Sequence, residues 1–333
     1  MQSLRKIMFP FSLIYAMVVY IRNFMYDHGL LSTRRFKTPT ICIGNLSVGG
    51  TGKTPMTELL IRNLQAKKRI AVLSRGYGRK RKGLVMLSED STAYEVGDEP
   101  LQLFSKFKDI SVVVEADRQK GITYIEKELK PDLILLDDAF QHRRVTPSFS
   151  ILLTAFDSLY TDDWYLPTGD LRDSKNQAKR ADIIIVTKCP SDLSDTTQAE
   201  IRNKLDPLPG QEVLFCYFAY EQQLKGFHSK MSLKDLKEHE LTLVTGVANP
   251  EPLVRYLEEG GLHFEHLIFG DHHYFTEKEL QLFNSREYVI TTEKDFIRSR
   301  DKIDKLSYIE VRHVFLNNGL EVLSAALEKV LGS

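Results

Sequence analysis

Residues 47–54, Ser-Val-Gly-Gly-Thr-Gly-Lys-Thr, have the types and order to do chemistry on a phosphate. Their glycines let backbone N–H groups approach an anion, and a lysine followed by a hydroxyl adds a cation and a metal-binding oxygen. The apolar run TICIGN (40–45) precedes the segment and a helical pattern follows from Lys53, the strand–loop–helix setting that a Walker A loop requires. Ser47, Val48, Gly49, Gly50, Thr51, Gly52, Lys53 and Thr54 thus form a candidate ATP cradle. In it Lys53 reaches the terminal phosphates and the Thr54 hydroxyl holds Mg2+. Ser47 stands where the motif usually starts with glycine, which weakens the pattern but not the mechanism. A partner acid should end a buried strand, and LILLDDAFQH supplies Asp137 and Asp138 as metal-side carboxylates.

Phosphoryl transfer also needs a group that takes or orients the acceptor's proton. VGDEP (96–100) places Asp98 and Glu99 in a turn before a helix, where a helix N-cap is the locally favoured reading of Asp98. GDHHYF (270–275) offers Asp271, His272 and His273. No third ligand stands at zinc spacing, and an adjacent His pair is more often surface or core than catalytic; an Asp–His pair across a domain cleft would give a competent base. Arg75, Arg79, Lys80, Arg81 and Lys82 crowd one loop, either solvated or facing an anionic partner. LPTGDLRDS (166–174) carries Arg172 and Asp173 in a loop that could face the nucleotide. TTEKD (291–295) could close the nucleotide pocket or simply cap a helix.

The elements that must position these residues read as α/β. Short apolar runs at 69–74, 110–115, 133–138, 149–155 and 183–188 suit parallel strands buried on both faces. Helical patterns lie between them, which predicts a doubly wound P-loop domain over 31–207. A linker region over 208–240 and a smaller α/β domain over 241–333 follow. Residues 1–30 form a separate unit: the uncharged run IMFPFSLIYAMVVYI lies between Lys6 and Arg22, and residues 1–37 carry a net charge of +5. The run is shorter than the roughly 20 residues that span a bilayer. It predicts a helix lying in a membrane interface, its apolar residues spread around the axis and cations flanking it.

The whole chain, 333 residues with 45 basic and 45 acidic side chains, lacks the basic excess of a nucleic-acid binder. Its three cysteines, Cys42, Cys189 and Cys216, are too scattered for a disulfide framework or a zinc pair, which points to a reducing compartment.

In order, the N-terminal apolar helix, SVGGTGKTP, SRGYGR, GDEP, LDDAFQH, LPTGDLRD, DHH and TTEKD resemble the tetraacyldisaccharide 4′-kinase (lipid A 4′-kinase) family over nearly the whole chain. The resemblance implies an ATP- and Mg2+-dependent kinase. It would phosphorylate the 4′-hydroxyl of a tetraacylated glucosamine disaccharide 1-phosphate at the cytoplasmic face of a bacterial inner membrane. It also implies two α/β domains joined by a two-stranded linker. Asp98 and His272 become a catalytic dyad, with His273 the weaker choice. Lys53 stabilises the transferring charge, and Thr54, Asp138, Asp137 and Asp173 become the metal residues. Ala139 stands where the family commonly has Gly, and Asp173 where it has Glu, which puts the metal role of Asp173 in question. The alternatives are a P-loop kinase of another phosphorylated metabolite and a membrane-associated switch ATPase. Against the latter, Val48 replaces its signature lysine.

Overall fold

The computed structural model describes residues 2–271 and 273–332. Helices α1 (Gln2–Ile7) and α2 (Phe9–Asp27) lead into β1 (Thr40–Asn45) and α3 (Lys53–Leu64). Then come β2 (Ile70–Ser74), β3 (Val85–Met86), α4 (Ala93–Val96), α5 (Asp98–Lys106), β4 (Ser111–Val114) and α6 (Arg118–Tyr124). The large unit continues through β5 (Leu133–Asp137), β6 (Phe149–Ala155), β7 (Ile183–Thr187), α7 (Asp195–Leu205) and β8 (Glu212–Tyr220).

Nine strands form the large sheet, in the order β14-β8-β7-β6-β1-β5-β2-β4-β3, where β14 is Val311–Phe315 near the end of the chain. All neighbours are parallel except the two edge strands, β3 and β14. Alternate residues feed two cores. Ile41, Ile43, Leu133 and Leu135 point to one face, and Cys42, Ile134 and Leu136 to the other. This is why these strands read as unbroken apolar runs. The chain builds outward from β1 on one side and then crosses to β6 on the other. The strand order therefore reverses beside β1, where ligands sit in open α/β sheets.

The small unit contains β9 (Lys225–Gly226), β10 (Leu241–Thr245), α8 (Glu251–Glu259), β11 (Phe264–Ile268) and α9 (Glu277–Asn284). β12 (Tyr288–Thr292), α10 (Glu293–Ser299) and β13 (Leu306–Ile309) complete it, in a five-stranded sheet ordered β11-β10-β12-β13-β9.

The last residues depart from the division expected at 241–333. β14 pairs antiparallel with β8, and α11 (Gly319–Leu331) buries Leu323 and Leu327 in a core of the large sheet. β8, expected within the 208–240 linker, is likewise a full member of that sheet. The apolar stripe of α11 packs on the large sheet, so the chain returns across β14 to finish the first domain.

Helix α2 is inverted relative to a core helix. Its buried residues include Ser12 and Asn23, while Phe11, Leu13, Ile14, Met17, Val18 and Tyr20 lie exposed. The apolar residues form a broad outer face rather than surrounding the axis evenly. No helix among the described residues is long and apolar enough to cross a membrane.

Candidate active site

The P-loop is built where β1 ends. Gly49 and Gly52 hold φ of +112° and +82°. A Cβ at Gly52 would lie 2.8 Å from the His313 ring and 3.1 Å from Phe218, so both conformation and space demand glycine there. Behind the loop, His313 Nε2 lies 2.9 Å from the Gly52 carbonyl. A carbonyl only accepts, so Nε2 carries the proton and Nδ1 accepts from the Cys216 thiol at 3.2 Å. Burial pushes the His313 pKa down to about 4, which keeps the ring neutral. Strands β8 and β14 thus brace the turn that opens α3. That helix then buries Met56, Leu60 and Ile61 against the sheet.

Lys53 donates to Asn45 Oδ1 at 3.4 Å and lies 3.9 Å from Asp138. Arg172 forks onto both oxygens of Asp138, one bond being 3.2 Å, and also donates to Asn45 Oδ1. Although burial opposes it, the cations of Lys53 and Arg172 hold the Asp138 pKa below its ordinary value. Asp137 behaves oppositely. Burial first, then the charges of Glu99 and Asp138, push its pKa up to about 7, and Ser74 donates to it at 3.1 Å. The start of α5 lies against the loop after β2. Gly97, at φ +94°, fixes that start: its Cβ would lie 3.0 Å from the Tyr77 carbonyl in the loop after β2. Asp98 is buried at the first position of α5, which Gly97 rather than Asp98 caps.

The other expected residues are placed as follows. His272 lies outside the described residues. His273 stacks on Phe269 at 5.0 Å and contacts Glu279 at 3.1 Å, which holds it locally. Asp173 is fully buried, and its oxygens accept from Arg22 at 2.7 Å and from Asn23 at 2.8 Å. Both oxygens thus anchor α2. TTEKD caps α10: Asp295 N donates to Thr292 Oγ1 at 3.2 Å. Lys80, Arg81 and Lys82 are exposed on their loop.

Sequence reasoning missed Asn45, Ser74, His313 and Arg298. Only Asn45 left a signal, a polar residue closing an otherwise apolar strand. The others become visible through contacts distant in sequence.

Several buried polar atoms beside the loop have no hydrogen-bond partner among the described residues: Asn45 Nδ2, Thr51 Oγ1 and Arg172 Nε. Such orphans are costly unless a ligand meets them. With Lys53 beside them they suit an anionic phosphate chain. Thr54, Asp137 and Asp138 supply only hard oxygen donors, which is the chemistry Mg2+ takes.

This fold and loop define a P-loop α/β kinase. Comparison then narrows the class. The sequence model for the family described as tetraacyldisaccharide-1-P 4′-kinase (LpxK) matches residues 4–331. Similar proteins include the tetraacyldisaccharide 4′-kinases of Flavobacterium johnsoniae, 46% identical over 96% of this chain and 95% of that one, and Flavobacterium psychrophilum, 43% identical over 96% and 94%. The fold is also that of a crystal structure titled as the "apo" form of Aquifex aeolicus LpxK in complex with ATP. That structure has a TM-score of 0.80 and 28% identity, covering 98% of this chain and 99% of that one. The chain belongs to the tetraacyldisaccharide-1-P 4′-kinase family.

Proposed function

We propose that this chain transfers the γ-phosphoryl group of ATP to the 4′-hydroxyl of tetraacyldisaccharide 1-phosphate at a membrane surface. The observation that carries the reading is the P-loop itself, with Lys53, Asp138 and Arg172 gathered beside orphaned donors at the strand-order switch. In the reaction the bond from the 4′-oxygen to Pγ forms, the bond from Pγ to the bridging oxygen breaks, and ADP leaves. Backbone N–H groups of residues 49–54 hold the phosphates, and Lys53 stabilises charge on the transferring group. Arg172 orients Asp138 and presents a second cation to the same region. Mg2+, when bound by Thr54, Asp138 and Asp137, neutralises phosphate charge. Asp98 accepts or orients the hydroxyl proton, with His272 assigned as its partner.

The substrate's acyl chains keep it in a bilayer, and the exposed apolar face of α2 suits docking there. Exposed Lys6 beside that face favours anionic headgroups, whereas Arg5 and Arg22 pair with Asp170 and Asp173. These features support the reading of a peripheral protein that works on the cytoplasmic side of a bacterial inner membrane. The test is incubation with ATP and the tetraacyl disaccharide 1-phosphate in mixed micelles, with phosphorus NMR of the product. A second phosphomonoester at the 4′ position is expected; phosphate elsewhere, or none, contradicts the reading.

A further inference from the structure

Arg298 lies on α10 in the small unit, one helical turn beyond Asp295, and its side chain is only 4% exposed. Its guanidinium meets acceptors from both units. Nε lies 3.3 Å from Asp98 of the large unit, an ion pair whose alignment is not that of a hydrogen bond. Nη2 lies 2.7 Å from Asp295 and 3.3 Å from the Gly246 carbonyl, and Nη1 donates to the His273 carbonyl at 3.3 Å. Asp295 is itself fixed, accepting from the Gly246 amide at 2.9 Å and the Thr292 hydroxyl at 2.8 Å. One planar cation therefore ties the carboxylate at the head of α5 to the backbone of two small-unit loops. One of these carries the Asp-His-His sequence.

We propose that Arg298 is a positioning residue. It fixes the Asp98 carboxylate against the 270–275 loop and so sets the acceptor-side geometry only when the two units are in register. The inference rests on the reading of Asp98 as the group that handles the acceptor proton. A guanidinium suits this task because its fork is rigid and serves several acceptors in one plane. Removing it leaves two buried carboxylates, Asp98 and Asp295, without the cation between them. The chemistry should lose its alignment while the P-loop, built on other elements, still holds nucleotide.

The experiment measures kcat and KM for ATP and lipid in wild type, Arg298→Gln, Arg298→Lys, Asp98→Asn and the Asp98→Asn/Arg298→Gln double variant, with melting curves for each. Arg298→Gln should lower kcat by about 100-fold and leave KM for ATP within about twofold. Arg298→Lys should recover roughly tenfold of that loss, because it keeps the charge but not the fork. In the Asp98→Asn background, Arg298→Gln should cost less than about threefold more, since both act on one carboxylate. A merely structural role would instead multiply the two losses or act through melting temperature alone, and either result overturns the proposal. So would a folded Arg298→Lys with wild-type kcat, the arm that decides if Arg298→Gln fails to fold. No lipid phosphorylation by wild type would sink the underlying function, whereas active wild type with multiplied losses sinks this inference alone.

Discussion

Asp137 and Asp138 are neighbours in sequence yet hold their protons oppositely, because one faces cations and the other is enclosed. That difference makes a pH prediction. The Asp137 pKa rises from 3.8 to about 7 on folding, and burial with nearby Glu58 charge raises that of Glu293 from 4.5 to about 7. Across that window these two carboxyls keep protons in the folded protein that the unfolded chain has lost, so their contribution to stability falls as pH rises from about 4 to about 7. His142 and His313, whose pKa burial lowers to about 4, contribute with the opposite sign, so the test is a difference between variants. In chelator, Asp137→Asn should gain melting temperature relative to wild type on going from pH 5 to pH 8; a difference that stays constant or shrinks over that range would contradict the assignment. At this scale the P-loop, Asp98, Asp137 and Asp138 were legible, because their motifs are local. Arg298 and His313 were not, since their partners lie in other elements: Asp98 at 200 positions' remove and Gly52 at 261. The contacts of Asp173 with Arg22 and Asn23 were not legible either, because nothing in the sequence beside Arg172 announces a helix 150 positions away.

At the scale of elements, α2 is joined to the P-loop through the 163–174 loop. Arg22 and Asn23 grip Asp173, Ser12 donates to Thr168 at 2.7 Å, and Tyr15 donates to the Arg172 carbonyl at 3.0 Å. From the loop, the Asp170 carbonyl accepts from the Val48 amide at 2.7 Å, and Asp163 accepts from Ser47 at 2.8 Å. Arg22→Met removes the cation from a fully buried carboxylate and should destabilise the protein by about 1–3 kcal/mol, with KM for ATP raised several-fold. Urea unfolding and steady-state kinetics check both effects; an unchanged KM would separate α2 from the nucleotide site. The outer face makes an independent prediction. Ile14→Glu with Met17→Glu changes two exposed positions, so the fold should hold while co-flotation with anionic vesicles falls at least about tenfold. Flotation equal to wild type would remove α2 as the docking surface. The apolar run announced this helix, but its polar inner face was hidden, because Ser12, Tyr15, Arg22 and Asn23 are recognisable as one face only against the loop they bind.

Across the whole molecule, the two units meet through a second set of buried charges. Lys106 of α5 lies 2.8 Å from Glu293 of α10 and 3.0 Å from Glu310 between β13 and β14, and it also binds Glu58 of α3. Lys106→Met would remove the ion-pair partner of Glu293 and leave Glu58 and Glu310 to Arg62 and Arg312, at a cost of about 3–5 kcal/mol. Unfolding midpoints should register that loss, and a change below about 0.5 kcal/mol would show that the cluster does not bind the units together. The doubly wound architecture was legible from unbroken apolar strands. The return of β14 and α11 to the first sheet was not, because an edge strand and an amphipathic helix carry no mark of which sheet they complete. The account's central claim is that the P-loop and Asp98 work on one substrate pair. The most direct measurement is transfer of labelled γ-phosphate from ATP to tetraacyldisaccharide 1-phosphate by wild type, Lys53→Ala and Asp98→Asn. The account predicts labelled lipid from wild type and at least about a 100-fold loss in each variant. Labelled inorganic phosphate with no labelled lipid from wild type, or full transfer by Asp98→Asn, would contradict it.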